Sequence, residues 1–169
     1  MAWNTKIVHH SLFFLDNNGI AAGLEKKNTD GQIGYSTFGS PGFTPTGGLG
    51  GWAPGAMPYS LPDGWARLLR KGSDLVIQLH LHPDGKEETV QSSLGIYFAK
   101  ETPERIVAGA AVRNRMINIP PGDSDYVVTA QLKVPVDVDL VGVTPHAHLI
   151  CKDMQGNATL PDGKKIPLI

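Results

Sequence analysis

Short runs of alternating apolar and polar residues, rich in β-branched and aromatic side chains, set the pattern of this chain. Five such runs predict strands: residues 7–15, 74–82, 94–99, 126–132 and 136–143. In the second run, alternation from Val76 onward places Val76, Gln78, His80 and His82 on one face. Ile77, Leu79 and Leu81 then form the apolar face. Turn signals separate the runs: Asp16-Asn17-Asn18-Gly19, Pro83-Asp84-Gly85, Pro120-Pro121-Gly122-Asp123 and Pro161-Asp162-Gly163. Residues 39–64 hold much of the Gly and Pro, with Trp52, Met57 and Tyr59 interleaved, and read as a long ordered loop. A helical period shows only weakly, over residues 64–71. The pattern predicts an all-β fold, a sandwich or jelly roll. The polar stretch 83–89 is a candidate domain boundary, dividing an N-terminal domain over residues 1–86 from a second over 87–169, though a hairpin loop would look the same.

Composition supports many short elements. The 20 glycines and 13 prolines among 169 residues make up about a fifth of the chain, against roughly 12 % in average usage. A formal charge of −1 removes the simplest argument for nucleic-acid binding. No apolar run approaches the roughly 20 residues of a membrane-spanning helix. The opening Met1-Ala2-Trp3-Asn4-Thr5-Lys6 shows no secretory signal. Cys151 is the only cysteine, which excludes an internal disulfide and any Cys-based zinc cluster. A Ser nucleophile elbow, a phosphate-cradling Gly-Lys-Ser/Thr loop and a His-Glu-x-x-His zinc motif are all missing from the sequence. The run Gly47-Gly48-Leu49-Gly50-Gly51 lacks the following Lys and is read as backbone geometry.

The histidines carry the candidate chemistry. All six fall in three pairs: His9-His10, His80-x-His82 and His146-x-His148. Residues i and i+2 of a strand share a face, so each His-x-His triplet can present two imidazoles to one ion. Adjacent histidines point to opposite faces, so His9 and His10 converge only through a bulge, a twist or a strand end. A lone His-x-His is as readily structural as ligating, but three pairs with no unpaired histidine favour metal binding. Imidazole-rich sites with few carboxylates suit copper well and zinc acceptably.

The pairs and their surroundings resemble the copper type II, ascorbate-dependent monooxygenases, the family of peptidylglycine α-hydroxylating and dopamine β-monooxygenases and their bacterial relatives. The likeness lies in Val8-His9-His10; in Gly51-Trp52-Ala53-Pro54-Gly55 followed by Leu61-Pro62-Asp63-Gly64; in Gln78-Leu79-His80-Leu81-His82-Pro83; and in Pro145-His146-Ala147-His148-Leu149 leading to Lys152. It implies two jelly-roll sandwich domains of the copper monooxygenase type, the second incomplete and the first lacking its opening strands. It implies one copper held by His9, His10 and His80 that stores and delivers an electron. A second, oxygen-binding copper would be held by His146 and His148, the catalytic pair, with a methionine. That methionine lies beyond this sequence in the family's pattern, and Met154 is too near His148 to take its role. The implied activity is hydroxylation of a C–H bond of a small substrate with O₂ and an external reductant such as ascorbate, in an extracytoplasmic compartment. Gln78 matches a family glutamine near the electron-delivering copper, and equally reads as a polar neighbour of His80. His82 stands as a further ligand, a support for one, or a solvent-facing residue. Peptide-processing members carry an Arg where this chain has Thr144, which argues against peptide amidation.

Two other readings remain open. A cupin-like module would use His80, His82 and Glu87, at His-x-His-x4-Glu spacing, although Pro120-Pro121-Gly122 is followed by Asp125 where a second motif needs histidine. A non-catalytic copper-binding sandwich is the other.

Overall fold

The computed structural model describes residues 6–147 and 149–169. Strand is the main regular structure, at about a fifth of the chain against 5 % helix. Among the described residues no helix is long and apolar enough to cross a membrane. The chain divides into two units, Met1–Ala110 and Ala111–Ile169.

The first unit is built on a three-stranded antiparallel sheet. Strand β1 (Val8–Asp16) is central, flanked by β2 (Gly47–Trp52) and β4 (Asp74–Leu81). Alternation along β1 buries Ser11, Phe13 and Leu15, which join Ile7, Val8 and Ala21 as the buried centre of this unit. Their partners on β4 are Leu79, Ile77 and Leu75. His10, Leu12 and Phe14 face the other way, opposite His80, Gln78 and Val76. The predicted two faces of β4 are therefore present. The apolar one is only partly covered, for Ile77 and Leu81 remain exposed.

Strand β2 explains the glycine run. A Cβ on Gly51 would meet the Ser11 carbonyl oxygen at 2.7 Å and Leu12 Cδ2 at 2.8 Å. The close approach of β2 to β1 thus requires glycine there. Residues 39–64 are accordingly not one loop: β2 lies within them.

Beyond β1 the chain turns through Asn17 and Asn18 into helix α1 (Ile20–Lys27). The Asp16 carboxylate accepts the Asn18 N–H at 2.8 Å and the Ala21 N–H at 2.7 Å. It thereby serves the helix N-terminus that the Gly19 cap residue, having no side chain, cannot serve. These backbone N–H groups, that of Ala21 first, hold the Asp16 carboxyl below its ordinary pKa against the opposing effect of burial. Lys26 and Lys27 in the last turn complement the carbonyl end of the helix.

The weak helical period over 64–71 is overridden. Strand β3 (Trp65–Ala66) pairs in parallel with β5 (Arg105–Ile106), and the Arg105 guanidinium lies 5.8 Å from the Trp65 ring. In the second unit, β6 (Asn157–Thr159) and β7 (Lys165–Pro167) form a hairpin. The predicted Pro161-Asp162-Gly163 turn closes it, with Gly163 at φ 84° and its N–H on the Leu160 carbonyl.

The runs 94–99, 126–132 and 136–143 form no strand. Tyr97 and Val127 there are largely exposed. Alternation gives a segment the means to cover a core, but a strand also needs a neighbouring backbone to receive its N–H and C=O groups. These segments have no ladder partner among the described residues.

Candidate metal centre

The ladder between β1 and β4 breaks register at one place beside the histidines. Val8 is opposite Leu81 and His10 is opposite His80, so His9 is an extra residue between two successive pairs. This is a β-bulge, with two residues of one strand facing one of the other, and it re-aims the side chain of the inserted residue. Its consequence here is that adjacent histidines, which a regular strand would send to opposite faces, reach the same side as His80. Beyond the bulge the His82 N–H donates to the Ile7 carbonyl at 2.7 Å, so both strands stay bound on either side of it.

The three imidazoles converge. Ring centroids are 5.0 Å apart for His9 and His10, 5.2 Å for His9 and His80, and 4.6 Å for His10 and His80, all edge to face. His9 Nδ1 and His10 Nδ1 are 3.0 Å apart. One nitrogen from each ring lies within 4.8 Å of the others. Two imidazole nitrogens bound to one ion at about 2.0 Å stand roughly 3.3 Å apart in tetrahedral geometry and at most ~4 Å. His9 and His80 are exposed and His10 half-buried, so an ion has access from solvent. The donors are all imidazole nitrogens, a set that suits copper, zinc, iron or nickel. The three residues could thus hold a metal ion.

Gln78 lies two residues before His80 on the same face. Its Nε2 donates to Thr37 Oγ1 at 3.1 Å and to the Ser40 carbonyl at 2.9 Å. The segment it holds, residues 35–42, carries Phe38, whose ring centroid is 6.4 Å from that of His80. Tyr35 Oη donates to the Pro41 carbonyl at 2.8 Å and closes this segment on itself. Burial, with the negative charge of Asp16 as a lesser cause, pushes the Tyr35 phenol upward in pKa and keeps that donor protonated.

The other predicted residues are placed differently. His82 is exposed and, like Glu87, is not among the converging residues; the group found among the described residues is His9, His10 and His80. His146 is exposed in the second unit, and His148 lies outside the described residues. Sequence reasoning missed the segment 35–42, which is about 40 positions from Gln78 and has neither strand nor helix period. The polar Gln78 beside His80 was the available signal, and it named no partner. Compared with known proteins, the chain matches no protein-family model, no curated protein and no solved structure.

Proposed function

We propose that His9, His10 and His80 bind one copper ion, and that this centre stores and delivers electrons in a copper-dependent monooxygenase of the type the sequence resembles. The observation that carries the reading is the bulge at His9, which draws three imidazoles from two strands to one point without a carboxylate among them. Copper bound there would supply one-electron storage, cycling between Cu(I) and Cu(II). The chain's own part is to keep the three donors on a hydrogen-bonded ladder, which limits their movement as the charge of the ion changes. In this reading His146 and His148 hold the oxygen-binding copper, the substrate is a small molecule with an oxidisable C–H bond, and ascorbate or a similar donor supplies electrons. The finer fold would be the jelly-roll sandwich, and the compartment extracytoplasmic.

The pairing of His10 with His80 favours this set over a cupin-like His80, His82 and Glu87 set. The test is copper titration of the purified protein, followed by ascorbate-dependent O₂ uptake by the full-length protein that carries the methionine-bearing segment. One tightly held copper lost in His80→Ala, with O₂ uptake lost in both His80→Ala and His146→Ala, is the expected result. Copper binding with turnover unchanged in His146→Ala would defeat the catalytic reading and leave a non-catalytic copper-binding domain. Absence of tight copper in the unaltered protein would defeat both.

A further inference from the structure

The geometry points to a groove between helix α1 and residues 35–42 as the docking site of the electron donor, a small polyhydroxylated enediol acid of the ascorbate class. This inference rests on the copper reading above, for which it names the place where electrons enter. The groove is open to solvent and holds about 300 Å³, at the lower end of the roughly 300–1,000 Å³ of small-ligand sites. Lys27, Asn28 and Asp30 come from the end of α1 and the chain after it, Ser36 and Thr37 from the segment 35–42, and Leu24 adds apolar surface. Gly42 keeps the space open. Its φ is +82°, and a Cβ there would meet Leu24 Cδ1 and Thr37 Cγ2 at 3.2 Å.

Some polar groups of the groove are already satisfied. Asn28 Nδ2 donates to Asp30 Oδ1 at 2.6 Å and to the Gly34 carbonyl at 2.8 Å, and Asp30 Oδ1 also accepts the Gln32 N–H at 2.8 Å. Tyr35 Oη donates to the Pro41 carbonyl, which leaves its ring as a wall. The Lys27 ammonium, the Ser36 hydroxyl and Asp30 Oδ2 have no partner among the described residues. A hydroxyl both donates and accepts, so a ligand with several can meet a cation, a hydroxyl and a carboxylate oxygen together. A multiply charged anion would be repelled by Asp30, and an apolar ligand would leave all three groups unpaired. A hydroxylated monoanion places its charged oxygen at Lys27 and its hydroxyls at Ser36 and Asp30.

The position of the groove makes that ligand an electron donor. Thr37 Oγ1 accepts from Gln78 Nε2 at 3.1 Å, and Gln78 precedes His80 by two residues on the same face of β4. One hydrogen bond and a short span of strand join the groove to His80. In the loading step the enediolate gives one electron to Cu(II), which becomes Cu(I). Its remaining enediol proton goes to Asp30 Oδ2 and then to solvent, and the ascorbyl radical anion departs. An open groove with few polar contacts suits a ligand that must leave after each electron.

The experiment has two arms. Metal-free protein, anaerobic and with a chelator, is titrated with ascorbate while backbone amide shifts are recorded. Saturable shifts are expected at residues of the groove, and Lys27→Ala should weaken binding about tenfold, the worth of one charge-assisted hydrogen bond screened by water. In the second arm the copper-loaded protein is reduced anaerobically, followed by loss of the Cu(II) EPR signal. The rate should saturate with ascorbate and fall about tenfold at low ascorbate in Lys27→Ala, with reduction by uncharged hydroquinone unchanged. Shifts confined to other residues, or ascorbate binding unaltered in Lys27→Ala, would overturn the site. Equal slowing with hydroquinone would overturn its part in loading electrons. If the unaltered protein binds no copper, the reading of the centre fails and the loading step with it. The metal-free arm would still decide the groove by itself.

Discussion

The two ends of the β1–β4 ladder use the same backbone for opposite purposes. At the Asp16 end the polar groups are paired within the chain. The Asp16 carboxylate takes two backbone N–H groups, Thr46 Oγ1 donates to the Leu15 carbonyl, and Ser73 Oγ donates to Asn17 Oδ1. At the histidine end one extra residue gathers three imidazoles at a solvent-accessible point. The first end is closed and serves stability; the second presents nitrogen donors to something from outside. A bulge marks the second, because a regular ladder cannot place adjacent side chains on one face.

Deleting His9 tests that contrast most severely. Val8–Leu81 and His10–His80 would then be consecutive pairs of a regular ladder, so the strand should survive without its third imidazole. We expect near-unaltered circular dichroism and Tm, with copper affinity reduced more than the roughly 100-fold that losing a hydrogen-bond partner of a ligand costs. An unfolded deletion variant would show that the bulge is needed for folding and is not a device for ligands.

Asp16→Asn acts on the closed end. The native carboxyl has its pKa lowered from the ordinary value of 3.8. Its contribution to stability is therefore complete above about pH 4 and is lost as pH falls through the lower native value. Thermal melts should show the wild type losing Tm in acid, with Asp16→Asn less stable at pH 7 and flatter across the acid range. An equal acid slope in both proteins would assign acid sensitivity to other groups.

The smallest effect is expected between the two ends. Ser11 is fully buried, and its hydroxyl has no hydrogen-bond partner among the described residues. Ser11→Ala removes an unsatisfied polar atom and should stabilise by about 1 kcal/mol in urea unfolding, leaving copper binding unchanged. A loss of stability would mean that the hydroxyl has a role in the packing of β1 against β2.

Much of this was legible in local pattern. The alternation of residues 74–82 places Gln78 and His80 on one face, the Asp-Asn-Asn-Gly stretch leads the chain from β1 into α1, and Pro161-Asp162-Gly163 closes a hairpin, because sterics and side-chain period act over a few residues. That His9 and His10 converge only through a bulge, a twist or a strand end was equally local, and the register shift between Val8 and His10 is the bulge among these. Helix α1 was less legible. Its cap comes from Asp16, outside the usual cap position, and only eight residues carry its period.

Sequence by itself determined which side chains were able to act: paired histidines, a glycine run able to lie flat against a strand, and a polar residue beside His80. Tertiary structure decided which of them meet. Opposing His10 to His80 is a choice of register between strands some 60 residues apart, and no local period encodes it. The same holds for Phe38 beside His80, and for the alternating runs 94–99, 126–132 and 136–143, which found no ladder. A hydrogen-bonded partner comes from elsewhere in the chain, and its alignment is settled by the closing of long loops and the burial of β1.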